Sequence, residues 1–476
     1  MRTLVMKFGG TSVGSSSAIL QTATIIQQQK SHWDNLVVVV SAMSGITDKL
    51  IQSARLAAEN DVAGSSSIIE EIQNQHLEVI DSLISDPDEK QILLHKVQQR
   101  LDELRSYCQS IQVLGEVTPR GMDVISSLGE RINAQVVAAT VNSIGTPAQA
   151  VEASECIITD RTFQNAVPDM PKSREKVQAK LVPLFQKNFT PVVTGFLAAT
   201  PEGVITTLGR GGSDYTAAIL ADCLDADEVW IWTDVDGVLS ADPRVVPDAR
   251  PIPEISFAEV GELAYFGAKV LHPKTIRPVV SRNIPLWVKN TFNPDFPGTR
   301  ITQQPPRIRG EITAISTIKD LSIITVEGRG MLGVPGIAAR TFGAVARTGA
   351  SVLMISQSSS EQSICFTIPS LHNGEVIKSI EAEMALELLR GDIDRVWSRD
   401  GVVIVSIIGS GMRETPGVSA RIFGALGKNL INVIAIAQGS SEYSISLVLD
   451  QKDAVRAVQA IHAESAPSNS GGQNGL

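Results

Sequence analysis

The sequence predicts an α/β protein with a largely parallel sheet, followed by two small α+β modules that repeat each other. Short, β-branched segments that end in Gly or Ser, such as LVVVV at 36–40, alternate with helical segments up to residue 290. Alternation of this kind favours a parallel sheet covered on both faces. A Pro- and Gly-rich stretch at 293–310 then separates this part from a segment that repeats itself.

The predicted elements of the first part follow from these patterns. Strands are predicted at 3–8, 36–40, 191–199, 229–234 and 284–290, and helices at 15–30, 213–224 and 257–271. The stretch from about 47 to 140 has helical periodicity and few strand signals. Ser213 or a neighbour is expected to supply the N-cap oxygen of its helix.

The last third of the chain contains a duplication. MLGVPGIAARTFGAVA (331–346) matches MRETPGVSARIFGALG (412–427), and SQSSSEQSI (356–364) matches AQGSSEYSI (437–445), all with an offset of 81 residues. A shared offset in two separated segments indicates a duplicated module. Each copy predicts the order strand, helix, strand, strand, helix.

The two copies differ in their last strand. A strand at 393–398 closes the first copy, whereas the second runs into a polar tail, and the strand EITAIST at 311–317 is unclaimed. We therefore expect EITAIST to complete the second module, which makes the first module an insertion. The expected domains are a catalytic domain at 1–300, a linker at 301–310, a first module at 321–398, a second module at 311–320 plus 399–465, and a disordered tail at 466–476.

Composition excludes several classes of protein. The chain has 476 residues, with 41 Lys and Arg against 51 Asp and Glu, and a net charge of −10, which argues against nucleic-acid or anionic-membrane partners. The hydrophobic fraction of 43% is too high for a disordered protein. Four scattered cysteines suggest neither a zinc site nor a disulfide framework. With no signal peptide and no membrane-length apolar run, we expect a cytoplasmic protein.

Two Gly-rich turns between strand and helix carry candidate chemistry. KFGGTSVG places Lys7 at a strand end before Gly9 and Gly10, a pattern that can cradle phosphate although it is not a Walker A loop. TTLGRGGSDYTA brings Arg210 and its neighbours Ser213 and Asp214 beside backbone amides. The alternatives are an ordinary tight turn and a solvated loop with a capped helix.

Other candidates are weaker when taken from the residues alone. Ser41, in SAMSG, follows a strand at the edge where parallel sheets bind ligands. Glu130 reads as a surface acid. Asp234 and the acids after it do not form a calcium loop, because Leu239 stands where such a loop needs Gly. Arg244 is compatible with a phosphate contact or with a solvated loop, and Lys269 with a ligand contact or with a side chain that reaches water.

Together the motifs KFGGTSVG, SAMSG, GRGGSDYTA, WTDVDGV, DPRVV and FGAKVLHP resemble those of aspartate kinases, in the amino acid kinase superfamily, from Met1 to about residue 465. The duplicated part resembles a tandem pair of ACT domains, which are ferredoxin-like βαββαβ modules that bind amino acids. SQSSSE and AQGSSE are closest to the threonine-sensitive branch, which includes bifunctional enzymes. Because the chain ends after the ACT pair, we expect no homoserine dehydrogenase domain. The resemblance implies a three-layer sandwich for the first part.

The resemblance implies a reaction and its substrates. It implies ATP-dependent phosphorylation of the side-chain carboxylate of L-aspartate to 4-phospho-L-aspartate, the first step of lysine, threonine and methionine biosynthesis. Lys7, Gly9 and Gly10 would contact phosphate. The substrate contacts implied are Glu130 to the α-ammonium and Arg210 to the α-carboxylate, with Ser41, Ser213 and Asp214 nearby and Asp214 organising Lys7.

The resemblance also implies a nucleotide site. Thr233, Asp234, Arg244 and Lys269 would line the ATP site, with Lys269 also catalytic, and Mg²⁺ would be held mainly by the ATP phosphates rather than by protein ligands. Some members of the family have Tyr at the position of Leu239. This chain therefore lacks, at that position, the aromatic side chain that would contact the adenine.

The pair of ACT domains is expected to regulate the kinase activity. Gln357 and Gln438 occupy equivalent places and resemble effector-contacting glutamines, which implies inhibition by threonine or lysine in a homodimer or homotetramer built through these domains. Two rival functions are another amino acid kinase of the glutamate type and a catalytically silent amino-acid sensor.

Overall fold

The computed structural model describes residues 1–268, 271, 273–305, 310–331, 334–357, 362–438 and 442–465. The chain divides into two units. The first comprises Met1–Val238, Pro251–Phe257 and Leu271–Pro305, and the second comprises Leu239–Arg250, Ala258–Val270 and Pro306–Leu476. Lys269 and the predicted tail at 466–476 lie outside the described residues.

The elements are numbered here in chain order. Up to residue 305 they are β1 (Thr3–Phe8), α1 (Ser16–Lys30), β2 (Asn35–Val40), α2 (Ile46–Ala58), α3 (Val62–Leu83), α4 (Pro87–Leu114), α5 (Pro119–Ser143), β3 (Ala148–Val151), α6 (Met170–Gln186), β4 (Thr190–Thr194), β5 (Leu197–Ala199), β6 (Ile205–Thr207), α7 (Gly212–Cys223), β7 (Glu228–Thr233), β8 (Glu254–Ser256), α8 (Phe257–Tyr265), α9 (Pro273–Arg282), β9 (Leu286–Asn290) and β10 (Thr299–Thr302).

The elements beyond residue 310 belong to the second unit. They are β11 (Ala314–Glu327), α10 (Ile337–Arg347), β12 (Met354–Gln357), β13 (Ser363–Pro369), α11 (Asn373–Glu383), α12 (Ala385–Arg390), β14 (Arg395–Ile408), α13 (Val418–Lys428), β15 (Val433–Ala437), β16 (Ser444–Asp450) and α14 (Ala454–Ala463). Among the described residues, no helix combines the length and the hydropathy that crossing a bilayer requires.

An eight-stranded sheet in the order β3-β4-β2-β1-β7-β9-β10-β8 forms the centre of the first unit. In this order the six strands from β3 to β9 are parallel. β10 runs antiparallel to β9, and β8 runs parallel to β10. β1 pairs with β2 on one side and with β7 on the other, so the chain changes direction across the sheet at β1. In open α/β sheets such a switch point is where ligands bind. The predicted α/β class with a largely parallel sheet is confirmed.

Four helices, α2 to α5, form the helical region predicted at about 47–140. Local signals define the boundary between the last two. The helix α4 ends at Gly115, which adopts the left-handed φ of 72° that favours glycine. The next helix begins with Pro119 in its first turn, and the side chain of Thr118 accepts the N–H of Gly121.

Three predicted elements of the first part differ in detail. The predicted strand at 191–199 divides into β4 and β5 at Gly195 and Phe196, because Phe196 has a φ of 68°. The N-cap of α7 is Gly211, and no side chain caps that helix. The predicted helix at 257–271 ends at Tyr265, because Gly267 turns the chain with a φ of 92°.

A six-stranded antiparallel sheet in the order β12-β13-β11-β14-β16-β15 forms the second unit. The strands predicted at 311–317 and 321–327 are one strand, β11, with a change of register near Asp320, whose φ is 59°. Residues 314–318 of β11 pair with 404–408 of β14. Residues 323–327 pair instead with 395–399 of β14 and with β13.

Each half of this sheet packs its own core. Ile315, Val403 and Leu447 belong to a buried cluster with α13 and α14, whereas Ile324 and Phe366 belong to a second cluster with α10 and α11. The sheet therefore supports two α+β layers, as the two predicted modules require. The proposed domain boundaries stay a prediction.

Candidate active site

One cavity in the first unit lies at the carboxyl ends of β1 and β2, beside α5 and the loop before α7. Its volume is about 300 Å³. Six of the seven residues predicted to be catalytic or to bind the substrate line it: Lys7, Ser41, Glu130, Arg210, Ser213 and Asp214. The seventh, Lys269, lies outside the described residues. The six lining residues come from four separate parts of the sequence, and the switch point of the sheet brings them together.

An ion pair joins the strand β1 to the helix α7. The Nζ of Lys7 lies 2.6 Å from Oδ1 of Asp214, and the two side chains are only 12% and 17% exposed. Asp214 stands in the first turn of α7, where the helix dipole favours a negative charge. A charge-assisted contact of this length holds the lysine ammonium group at the wall of the cavity.

Glu130 is a buried acid in the middle of α5. It is 5% exposed, and burial raises the pKa of its carboxyl to about 8, while a backbone hydrogen bond from Ala42 and the charge of Lys7 act in the opposite direction. Its Oε2 has no hydrogen-bond partner among the described residues. An unsatisfied buried carboxylate is costly, so this oxygen is suited to a cationic group of a ligand.

Arg210 lies on the turn that leads into α7. Gly209 and Gly211 on either side have φ of 79° and 73°, a conformation that favours glycine. Within the part of the chain that the structure describes, the guanidinium of Arg210 has no ion-pair partner. It can therefore offer its paired N–H donors to a carboxylate or a phosphate.

Ser213 sits against a glycine. A Cβ on Gly195 would lie 2.6 Å from the Cβ of Ser213, so no side chain fits at that position. The backbones at Gly195 and Ser213 therefore pack closely beside the turn that carries Arg210.

The glycine turn after β1 packs closely on neighbouring backbone. The N–H of Gly9 donates to the carbonyl of Trp232 at 3.1 Å, and a Cβ on Gly10 would lie 3.2 Å from the carbonyl oxygen of Ala42. The N–H of Ser41 donates to the carbonyl of Phe8 at 3.2 Å. This packing places the turn of Gly9 and Gly10 beside the Ser41 loop.

The residues predicted for the ATP site are only partly located. Thr233 ends β7 and donates a hydrogen bond to Asp234 at 3.1 Å. Arg244 belongs to the second unit, where its exposed guanidinium pairs with Asp242 at 2.7 Å. Leu239 also belongs to the second unit, and Lys269 lies outside the described residues. The ATP-binding roles of these residues stay predictions.

The two predicted effector residues stand on the outer strands of the six-stranded sheet. Gln357 is the last residue of β12, and Gln438 directly follows β15. Both are exposed. Their roles stay predictions.

The structure adds residues that sequence reasoning missed. Phe196 and Thr47 line the cavity, Asn133 donates through Nδ2 to the carbonyl of Ser41 at 2.6 Å, and Asp123 holds a loop of the same site. Asp123 and Asn133 are buried on the helix that carries Glu130. Polar residues at helical spacing in this apolar segment are the signal that could have identified them.

No group of three or more His, Cys, Asp or Glu side chains suited to a metal ion occurs among the described residues. Of the carboxylates that line the cavity, Asp214 is paired with Lys7 and Glu130 has a raised pKa. The expectation that Mg²⁺ is held mainly by the ATP phosphates stays a prediction.

Comparison with known proteins agrees with this geometry. The profile of the amino acid kinase family matches residues 2–290, and that of the ACT domain matches 324–384 and 405–464. The chain is 39% identical over 464 residues to the bifunctional aspartokinase/homoserine dehydrogenase 1, chloroplastic, of Zea mays, which covers 96% of this chain and 50% of that protein. The chain thus spans about half the length of the first curated relatives that it matches.

A shorter relative and a solved structure match over most of their length. Aspartokinase 3, chloroplastic, of Arabidopsis thaliana is 35% identical, covering 97% of this chain and 81% of that protein. Crystal structures of E. coli aspartokinase III, one with lysine and aspartate (T-state) and one with aspartate and ADP (R-state), both match with a TM-score of 0.79. Their identities are 30% and 29%, and coverage is 98% and 97% of this chain and 100% and 99% of those chains. The chain therefore belongs to the amino acid kinase family, and within it to the aspartokinases with tandem ACT domains.

Proposed function

We propose that the chain transfers the γ-phosphoryl group of ATP to the side-chain carboxylate of L-aspartate and forms 4-phospho-L-aspartate. One observation carries this proposal: a single cavity holds a buried carboxylate and a guanidinium, each with polar atoms that have no partner among the described residues, together with a paired lysine. These are complementary to an ammonium, a carboxylate and a transferring phosphate.

Glu130 and Arg210 would bind the two charges of the amino-acid backbone. The unpaired Oε2 of Glu130 would accept from the α-ammonium, and the guanidinium of Arg210 would donate to the α-carboxylate. The ammonium favours the ionised form of Glu130, so substrate binding would offset the cost of this buried charge. Ser41 and Ser213 line the same cavity and would contact the substrate side chain or the phosphate.

The reaction needs no strong base, because the attacking side-chain carboxylate is already ionised at neutral pH. Catalysis then rests on positioning and on neutralising charge at the transferring phosphoryl group. Lys7, held by Asp214, would supply that charge, and the turn of Gly9 and Gly10 would supply backbone N–H groups.

ATP is the proposed phosphate donor. The similar E. coli aspartokinase III has a structure with aspartate and ADP, which supports nucleotide use here. Thr233, Asp234, Arg244 and Lys269 are proposed for the nucleotide. Mg²⁺ is proposed to enter on the ATP phosphates, where it would neutralise phosphate charge. The structure describes four cysteines without a disulfide, which supports a reducing compartment, the cytoplasm.

Inhibition by threonine or lysine at the ACT domains is proposed as the control of this activity. The ACT match supports an amino-acid effector, and the similar E. coli aspartokinase III has a T-state structure with lysine and aspartate. Gln357 and Gln438 are the proposed effector contacts. The proposed assembly is a homodimer or homotetramer through these domains, with 311–320 plus 399–465 forming the second module.

A substrate panel tests the proposed reaction. The purified chain is incubated with Mg·ATP and with aspartate, glutamate or no amino acid, and acyl phosphate is trapped with hydroxylamine. We expect hydroxamate to form with aspartate alone. Turnover with glutamate in place of aspartate would favour the glutamate-type kinase, and binding of amino acids without turnover would favour a silent sensor.

A further inference from the structure

A buried acid that lies outside the lining of the cavity connects α5 to two loops, one of which leads to the cavity residue Arg210. Asp123, near the start of α5, is 1% exposed. Its carboxylate accepts the N–H of Gln164 at 3.0 Å on both oxygens, the N–H of Thr207 at 3.1 Å and the hydroxyl of Thr207 at 2.8 Å. Burial raises the pKa of this carboxyl, and these hydrogen bonds lower it. A buried carboxylate with this many donors fixes the position of whatever donates to it.

The loop held by Asp123 is the loop that carries Arg210. Thr207 ends β6, and Arg210 follows three residues later. Between them, a Cβ on Gly209 would lie 2.9 Å from the carbonyl oxygen of Gln164, the second residue held by Asp123. The Arg210 turn therefore rests on a segment that the same carboxylate anchors.

The helix that carries Asp123 also carries Glu130. The two acids are seven residues apart, about two helical turns, and so lie on nearly the same face of α5. One rigid helix thus bears the acid proposed for the substrate ammonium and anchors the turn that bears the guanidinium proposed for the substrate carboxylate. The separation of these two groups has to match the backbone of one α-amino acid.

We propose that Asp123 is a positioning residue that holds Arg210 at the distance from Glu130 required by an α-amino acid. It does so through its hydrogen bonds to Thr207 and Gln164 and touches neither substrate nor nucleotide. The proposal rests on the proposed function for the identity of the ligand. Its consequence is specific: a loss of Asp123 impairs the binding of aspartate more than the binding of ATP.

Steady-state kinetics of variants at Asp123 and Thr207, with the KM values for aspartate and ATP measured separately, test this. Asp123→Asn replaces one acceptor oxygen by an NH₂ group that cannot accept from the loop N–H groups. We expect the KM for aspartate to rise about tenfold or more while the KM for ATP stays within about twofold. Thr207→Val, which removes only the hydroxyl donor, should raise the KM for aspartate about threefold. Thr207→Ser, which keeps a hydroxyl, should leave this KM near the wild-type value. If Asp123→Asn does not fold, the KM for aspartate in Thr207→Val compared with that in Thr207→Ser still tests the proposal.

A matched control separates positioning from general stability. Leu104→Ala removes a fully buried side chain of α4 and should lower the melting temperature with the KM for aspartate unchanged. An equal rise of both KM values in Asp123→Asn, or a lower melting temperature with an unchanged KM for aspartate, would overturn the proposal.

A second readout distinguishes this proposal from the proposed function. If the wild-type chain does not phosphorylate aspartate, the proposed function fails, and positioning is judged by hydrogen exchange. We expect faster amide exchange at residues 207–211 in Asp123→Asn than in the wild type. In Leu104→Ala, exchange at these residues should equal that of the wild type. Equal exchange at 207–211 in Asp123→Asn and the wild type would overturn the positioning role whatever the substrate.

Discussion

The Nζ of Lys7 lies 2.6 Å from Oδ1 of Asp214, and this contact joins the central strand β1 to the first turn of α7. Both side chains are mostly buried, so water screens the pair weakly. The pair holds the lysine at the cavity in one orientation. It also leaves each partner dependent on the other, because removing one leaves a poorly solvated charge.

We expect Lys7→Ala to lower kcat for acyl phosphate formation by about 100-fold or more, because a preorganised positive charge at the phosphoryl group is lost. Hydroxamate trapping measures the rate, and circular dichroism checks the fold. Lys172→Ala is the matched control, since that lysine is exposed and pairs with Asp169. Turnover of Lys7→Ala near the wild-type value would refute the role.

Asp214→Asn should have a smaller effect on the same rate. The amide leaves Lys7 charged but holds it less firmly, so we expect kcat to fall about tenfold, with the KM for ATP also raised. A rate equal to that of Lys7→Ala would indicate that Asp214 does more than orient the lysine.

Aspartate binding should release a proton from Glu130 at neutral pH. The pKa of about 8 means that this carboxyl is mostly protonated at pH 7 in the free protein, and the bound ammonium favours the ionised form. Titration calorimetry in buffers with different ionisation enthalpies should report close to one proton released per aspartate at pH 7 and little at pH 9. Affinity should rise with pH up to about 8. A binding enthalpy at pH 7 that does not change with the ionisation enthalpy of the buffer would contradict this prediction.

The same acid should limit the stability of the free protein. Because its pKa is raised by folding, the free energy of unfolding falls as pH rises from the ordinary carboxyl range to about 8, where the buried group ionises. We therefore expect Glu130→Gln to raise the free energy of unfolding at pH 9 by about 1 kcal/mol or more, and less at pH 5, while aspartate binding is lost. Thermal melts at both pH values measure this, with the exposed Glu116→Gln as control. A lower melting temperature at pH 9 would refute it.

The motifs beside strand ends were predictable from sequence because they are local. Lys7 with its glycines and Arg210 with its glycines are each complete within a few residues, and the carboxyl ends of parallel strands meet at one edge. Asp123 was not predictable in this way, because its partner Thr207 is 84 residues away. Asn133 and Ser41 are 92 residues apart. Glu130 was identified only through the family resemblance, since nothing local distinguishes it from a surface acid.

The fold follows the same division between local and distant information. Strand and helix positions follow the hydrophobic pattern, but the continuity of β11 does not, because Asp320 interrupts the pattern where the register changes. A polar residue with a positive φ is typical of a turn, and sequence reasoning separates two strands there. Only the ladder with β14 shows that the strand continues.

Replacing both glutamines proposed to contact the effector should remove the proposed inhibition. Gln357 and Gln438 end or follow equivalent outer strands and are exposed, so truncating them should disturb an effector more than the fold. We expect the ratio of activity without and with saturating threonine or lysine to fall to about one in Gln357→Ala/Gln438→Ala, measured with the hydroxamate assay. Gln362→Ala, which changes another exposed glutamine directly before β13, should stay inhibited. Unchanged inhibition in the double variant would refute the assignment.

The proposed interleaved order of the two modules should be visible in hydrogen exchange. Ile315 packs in the cluster of the second copy and Ile324 in that of the first, although both stand on β11. Ile315→Ala should therefore accelerate exchange in 402–408 and in β16, because a cavity in that core weakens its ladder by about 2–5 kcal/mol. Ile324→Ala should accelerate exchange in β13 and in 395–399 instead.

The two variants control each other, because they make the same substitution in one strand at equally buried positions, 4% and 0% exposed. If 311–320 belonged to the first module, Ile315→Ala would destabilise β13 and leave β16 protected. If the six-stranded sheet unfolded as one cooperative unit, both variants would accelerate exchange everywhere to the same extent. Only the interleaved arrangement predicts that two changes nine residues apart on one strand have opposite patterns, because the strand changes register between them and pairs with a different segment of β14 on each side.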